Sequence, residues 1–139
     1  MCYSICMEMI TQRLSLRFDE AMCEKLMAVS DDGDIYSRLA KNAEDYKALH
    51  DELQDIFGIG FAMPEIDFGT NDAIVMFSDE RSGSNTLDLM EVMQTNETIQ
   101  ASIKRTRGLT MDMAYTLIVI PVDKTTATKA RGIIYEDPR

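Results

Sequence analysis

The first pattern along the chain is an alternation of three apolar with three polar residues over residues 13–18. This period of two is typical of a strand with one buried face, so we expect a strand over Thr11 to Phe18. Asp19 then stands where its carboxylate can cap a helix. That helix is predicted to continue to the turn sequence Ser30-Asp31-Asp32-Gly33. Its apolar members recur at helical spacing: Met22, Cys23, Leu26, Met27 and Val29.

A longer helical pattern covers residues 34–57. Its apolar residues recur at spacings of three and four, which places them on one stripe of a helix. The stripe contains Ile35, Leu39, Ala43, Tyr46, Leu49, Leu53 and Ile56. Such a helix would extend for roughly 36 Å and would end at Gly58. Its outer face carries Glu44, Asp45, Asp51, Glu52 and Asp55.

The second half of the chain mixes strand and helix patterns. The short apolar run from Ala73 to Phe77 predicts a buried strand, and the β-branched run from Met113 to Val122 predicts a central strand covered on both faces. Three further elements complete the prediction: a short helix from Thr86 with Leu87, Met90 and Met93, a helix over 96–107 with Ile99 and Ile103, and a final strand over 130–135, hairpin-paired with the central strand.

Together these elements predict an α+β fold with about four mostly antiparallel strands and three to four helices. The helix over 34–57 is the longest of them. A chain of 139 residues, of which 45% are apolar, is in the range of one domain with its own core. We therefore expect a single α+β domain over residues 1–139, with the helices over 34–57 and 96–107 packed on one face of the sheet.

The cysteines and the apolar runs bear on the compartment. Cys2, Cys6 and Cys23 are an odd number of thiols in a sequence without a secretory signal, which favours a reducing compartment over a disulfide framework. The longest apolar run is far shorter than the roughly 20 residues of a membrane span. We therefore expect a cytoplasmic protein without a membrane segment. Alternative translation starts at Met7 or Met9 would make residues 1–6 dispensable.

The net charge of −10 is distributed unevenly. Residues 19–97 contain 19 acidic and 5 basic residues, whereas both ends of the chain are mildly basic. An acidic domain of this kind repels a phosphate backbone over most of its surface, so direct binding to nucleic acid is not expected. The complementary partner is a protein with a basic surface. The candidate partner-binding residues are Glu44, Asp45, Asp51, Glu52 and Asp55.

No combination of residues in the sequence specifies a reaction, a metal or a cofactor. His50 is the single histidine, so zinc sites and Ser-His-Asp or Cys-His chemistry lack ligands or a marked nucleophile. The acidic run at 31–34 lacks the glutamate that a calcium-binding loop places six residues after its glycine. Glu65, Asp67 and Asp72 flank a strand as nuclease carboxylates do, but without the usual lysine. We expect a protein that is not an enzyme; a pocket that joins His50 to Asp67 would revive an enzymatic function.

Residues 12–48 resemble the ribbon-helix-helix family of DNA-binding proteins. The segment predicts a strand with outward Arg13, Ser15 and Arg17, then a helix, a glycine-containing turn and a second helix. In that family the outward strand residues of a dimer read the major groove. The resemblance therefore implies a dimeric DNA-binding regulator that contacts DNA through these three residues. Two features depart from the family: the turn is acidic, and about 90 further residues follow it.

The leading functional hypothesis is a non-enzymatic acidic binding or inhibitor protein that docks on a basic or nucleic-acid-binding surface of a partner protein. In composition it resembles the small nucleic-acid mimics that phages and mobile elements use as anti-defence inhibitors. The DNA-binding regulator is the alternative. A third explanation is that the acidic face only makes the protein soluble, partly neutralised by Lys41–Asp45 and Lys47–Asp51 pairs. Both binding functions are compatible with a homodimer.

Overall fold

The structure, a computed structural model, describes residues 8–137. The Cys2 and Cys6 pair and the alternative start at Met7 lie outside these residues. Within them the chain forms seven strands and two helices, in the order β1 (Ile10–Leu14), α1 (Glu20–Ala28), β2 (Tyr36–Ala40), α2 (Ala43–Phe57), β3 (Asn71–Glu80), β4 (Thr86–Thr95), β5 (Thr98–Thr106), β6 (Ala114–Asp123) and β7 (Lys129–Glu136).

The strands form two sheets. The larger is antiparallel with the order β1-β6-β3-β2, and the smaller has the order β4-β5-β7. In the smaller sheet β4 and β5 form an antiparallel pair, whereas β5 and β7 run parallel. The predicted buried strands at 73–77 and 113–122 are confirmed as β3 and β6, which pair over ten residues at the centre of the larger sheet.

The larger sheet is buried on both faces, which explains the unbroken apolar runs of its central strands. Ala73, Val75 and Phe77 of β3 face α1 and α2, whereas the intervening Ile74 and Met76 face the smaller sheet. The described chain is therefore built in three layers, with helices, the four-stranded sheet and the three-stranded sheet stacked in that order. The predicted fold of about four strands and three to four helices is wrong, because two of the predicted helices are strands and the longest begins with one.

The helix predicted over 34–57 is the first correction. Tyr36–Ala40 is strand β2, which pairs with β3 and is buried on both faces. Asn42 then caps α2, since its side-chain oxygen accepts a hydrogen bond from the amide of Asp45 at 2.8 Å. The apolar residues on either side of this break match helical spacing by coincidence. The C-terminal end is as predicted, because Gly58 takes the left-handed conformation with φ of 69°.

The two helices predicted between residues 86 and 107 are the second correction, because this segment is the β4–β5 hairpin. A β-bulge at Met90 interrupts the alternation of β4, so that its inward residues Leu89 and Val92 are three apart, as on a helix. Asn96 lies instead in the two-residue turn between the strands, with φ of +55°. Ile99 and Ile103 both lie on the inward face of β5.

The pairing of the last strand is the third correction. Residues 129–136 do form a strand, but β7 pairs in parallel with β5 and not as a hairpin with β6. The connection between β6 and β7 crosses from the larger sheet to the smaller one. The amides of Thr128 and Lys129 then bond to the carbonyl of Glu97 in the β4–β5 turn, which fixes the strand beside β5.

Candidate functional site

The carboxylates predicted to bind a partner lie on the side of α2 that faces away from the sheet. Leu49, Leu53 and Phe57 on the opposite side are buried against the larger sheet. The α2 acidic surface is defined here as Glu44, Asp45, Asp51, Glu52 and Asp55. All but the half-buried Glu52 are exposed.

Two members of the α2 acidic surface are engaged inside the protein. Asp45 accepts a hydrogen bond from the amide of Lys41 at 3.2 Å, which ties the start of α2 to the end of β2. Glu52 lies 3.1 Å from the guanidinium of Arg38, whose Nε is 3.4 Å from Asp31. Asp45 and Glu52 therefore hold α2 against β2.

Glu44, Asp51 and Asp55 are the members of the surface most available to a partner. They are seven and four residues apart, which places them on one stripe of the exposed side of α2. Asp51 pairs with Lys47 at 3.2 Å, but both side chains are largely exposed and such pairs contribute little. The predicted ion pair between Lys41 and Asp45 is replaced by another one, because the Lys41 ammonium is bound to Asp72. Asp45 bonds to the backbone amide of Lys41 instead.

Helix α1 extends the acidic character of this layer. It contacts α2, and its N-cap Asp19 accepts a hydrogen bond from the amide of Met22 at 2.9 Å, as predicted. Glu20 and Glu24 are exposed on it, with Lys25 as its one basic residue. The layer formed by α1 and α2 therefore presents mostly carboxylates to solvent.

Two buried carboxylates are enclosed in ion pairs that the sequence did not predict. Asp72 is fully buried, and Lys41 and Lys124 lie 3.0 and 2.9 Å from its oxygens. Burial alone would raise the pKa of Asp72, but hydrogen bonds from Lys124 and Lys41 outweigh it and lower the pKa. Glu80 is held in the same way by Arg105, at 2.7 and 2.5 Å, and its pKa is likewise lowered against the effect of burial.

The remaining residues considered for chemistry have structural contacts. Asp67 bonds to the amide of Gly69 at 3.0 Å and closes a turn. The ring of His50 packs on Phe61 and bonds to its carbonyl at 2.5 Å. Among residues 8–137 no three His, Cys, Asp or Glu side chains are grouped so that they could hold a metal ion.

The order of elements predicted from the ribbon-helix-helix resemblance is wrong, because β2 separates the two helices. Strand β1 pairs along its whole length with β6 of its own sheet. Arg13 donates a hydrogen bond to the carbonyl of Gly83 at 2.6 Å. Ser15 and Arg17 are exposed beyond the end of β1. The structure thus does not bring the three residues together on one strand.

Comparison of the chain with known protein families, curated proteins and solved structures finds no match. No helix in the described part of the chain is long and apolar enough to cross a membrane.

Proposed function

We propose that this protein is a cytoplasmic, non-enzymatic binding protein whose α2 acidic surface docks on a basic, nucleic-acid-binding surface of a partner protein. Occupation of that surface by carboxylates would exclude nucleic acid from it, so the protein would act as an inhibitor. The odd number of thiols supports the proposed compartment.

The observation that carries the proposal is the one-sided distribution of charge. Helices α1 and α2 together contain seven carboxylates and two lysines, whereas β4, β5 and β7 contain three carboxylates and four basic residues. The helices cover one outer face of the larger sheet and the smaller sheet covers the other. A charge difference between two faces orients an approaching basic partner and accelerates its association.

The rigidity of α2 also supports the proposal. Its N-terminus is capped by Asn42, its C-terminus ends in a left-handed glycine, and Glu52 and Asp45 tie it to β2. Carboxylates on a fixed helix keep their mutual spacing, so a partner does not have to order them on binding.

Affinity capture from the native cells tests the proposal. The bait variant Glu44→Gln/Asp51→Asn/Asp55→Asn removes three charges without touching the internal pairs of Asp45 and Glu52. We expect the wild-type bait to retain a nucleic-acid-binding protein that soluble duplex DNA releases. The variant should retain roughly tenfold less of it, because exposed interfacial charges contribute mainly through their combined field.

A matched control is Asp88→Asn/Glu91→Gln, which removes two exposed carboxylates from β4. This control should capture the partner as the wild type does. Equal capture by the wild type and the α2 variant would overturn the proposal, and so would a partner that DNA does not displace.

A further inference from the structure

The loop over residues 107–113, between β5 and β6, carries the two most exposed large apolar side chains of the described residues. Leu109 is 99% exposed and Met111 is 95% exposed. The chain bends at Leu109 and forms neither helix nor turn from Thr110 to the start of β6. Met111 therefore projects into solvent from an irregular segment.

Thr110 is bonded twice to the turn between β3 and β4. Its hydroxyl lies 2.7 Å from that of Ser82, and its amide donates to the Ser84 hydroxyl at 3.2 Å. This turn is in its own right bound to the larger sheet, because Arg13 of β1 donates to the carbonyl of Gly83 at 2.6 Å. Thr110 therefore has a fixed position relative to the core.

Asp112 is held by the same turn on the other side of Met111. Its carboxylate accepts a hydrogen bond from the amide of Gly83 at 3.3 Å. A hydrogen bond from Thr110 lowers the pKa of this carboxyl, which favours its charged form. Met111 thus stands between two anchored residues, while its own side chain is free.

The backbone amides of the loop are divided in the same way. Those of Gly108 and Thr110 donate to side chains of the supporting turn, at 2.8 and 3.2 Å. Those of Leu109 and Met111 have no hydrogen-bond partner in the part of the chain that the structure describes. One edge of the segment is therefore bonded to its own protein, and the other edge is open to a partner that pairs with an extended chain.

A segment with an open edge and one projecting apolar side chain matches the active-site cleft of an endopeptidase. Such a cleft binds the backbone of its substrate, and its primary specificity pocket takes one side chain. In one class of serine endopeptidase this pocket is an apolar slot, which suits methionine. A segment that is already held in one shape loses little entropy on binding, so it binds more tightly than a flexible substrate.

We propose that the loop over residues 107–113 inhibits a serine endopeptidase with an apolar primary specificity pocket, and that Met111 occupies this pocket. Attack by the catalytic serine would esterify the Met111 carbonyl and release the amino group of Asp112. The hydrogen bonds of Thr110 and Asp112 keep the two ends together, so this amino group re-forms the peptide bond faster than water hydrolyses the ester. The loop lies outside the α2 acidic surface, so the inference does not rest on the proposed function.

Inhibition of chymotrypsin by the full chain tests the proposal, because the primary specificity pocket of that enzyme is apolar. We expect competitive inhibition of the cleavage of a chromogenic peptide, with an inhibition constant below about 1 µM. Met111→Ser should raise this constant at least about 100-fold, because it leaves the pocket without its apolar side chain. Met90→Ser is the matched control, since it alters another exposed methionine, on β4, and should leave the constant unchanged.

A change of specificity locates the contact at Met111. Met111→Lys should lose the inhibition of chymotrypsin and inhibit trypsin, whose pocket contains an aspartate. Leu109→Lys should not inhibit trypsin, because its lysine is two residues away from the pocket. Circular dichroism shows that each variant is folded.

The role of the anchors is tested with Thr110→Val, which removes the hydroxyl. Mass spectrometry should show that chymotrypsin cleaves the Met111–Asp112 bond of this variant at least about tenfold faster than that of the wild type. A wild-type chain that does not inhibit chymotrypsin at about 100 µM would overturn the proposal. So would rapid digestion of the wild-type loop with loss of inhibition, or a folded Met111→Lys variant that leaves trypsin active.

Discussion

Glu80 and Arg105 show how single residues secure the junction between the two sheets. Glu80 ends β3 in the larger sheet and is 4% exposed, while Arg105 belongs to β5 in the smaller one. Ser78 and Asn85 also donate to the Glu80 carboxylate. All of these donors favour the charged form, which is why the pKa of Glu80 is lowered although burial opposes it.

Glu80→Gln should lower the free energy of unfolding by about 2–4 kcal/mol at pH 7, because it leaves the guanidinium of Arg105 without its carboxylate. Chemical denaturation measures this change. Asp51→Asn is the control, since it breaks an exposed pair on α2 and should cost less than about 0.5 kcal/mol. Equal costs for the two variants would contradict the structural role of Glu80.

The lowered pKa of Glu80 also sets the sign of a pH effect. A carboxyl whose pKa is lower in the folded protein stabilises it fully above its unfolded value, ordinarily 4.5, and the stabilisation is lost as the pH falls through the folded value. The cost of Glu80→Gln should therefore shrink between pH 7 and pH 3 in denaturation curves. A cost that stays constant over this range would show that the carboxylate is not held in its charged form.

At this scale the sequence predicts local contacts and misses distant ones. The cap by Asp19 could be predicted because its partner is three residues away. The sequence predicts only a turn at Asp31, yet its carboxylate accepts hydrogen bonds from the amides of Leu39 and Ala130. The second donor is 99 residues away, and nothing local announces it.

The β4–β5 hairpin is the element in which the sequence pattern and the structure differ most. Its turn needs a residue with positive φ at Asn96, a conformation that asparagine tolerates better than most residues. The bulge at Met90 gives its inward residues a spacing of three, and a periodicity argument cannot separate this from a helix. In β3 and β6, which contain no bulge, unbroken apolar runs predicted the strands correctly.

Asn96→Ala should destabilise the protein by about 1 kcal/mol, because alanine resists the left-handed conformation. Asn96→Gly should be neutral or slightly stabilising at the same position. Thermal unfolding of the two variants, with Glu97→Ala as the control in the adjacent turn position, makes the comparison. Equal losses of stability for the alanine and glycine variants would contradict the left-handed conformation at Asn96.

The start of α2 separates the observed fold from the long helix predicted over 34–57. Asn42→Ala should cost about 1 kcal/mol, because it removes the acceptor for the amide of Asp45. Hydrogen exchange should show α2 fraying from residue 43 in this variant, with β2 protected as before. No loss of stability would contradict a helix start at this position. Asn42 itself indicates a helix start, since asparagine is a common N-cap. The apolar stripe over 34–57 nevertheless predicted a helix that begins earlier.

For the whole molecule, the sequence predicted the acidic bias and an acidic outer helix face, but not the contrast in charge between the two sides of the fold. The acidic central segment was evident from counting, but only the packing of α1 and α2 on one face makes that charge one-sided. The exposed loop over 107–113 gave no comparable signal, because its outward direction depends on hydrogen bonds to the turn at 81–85.

The central claim is that the α2 acidic surface binds a basic partner through charge, and the salt dependence of the purified complex tests it most directly. Titration calorimetry at several sodium chloride concentrations should show that the wild type loses affinity steeply as salt rises. Glu44→Gln/Asp51→Asn/Asp55→Asn should bind more weakly at low salt and lose affinity less steeply, because fewer charges remain to be screened. The same affinity and the same salt dependence for the two proteins would contradict the claim.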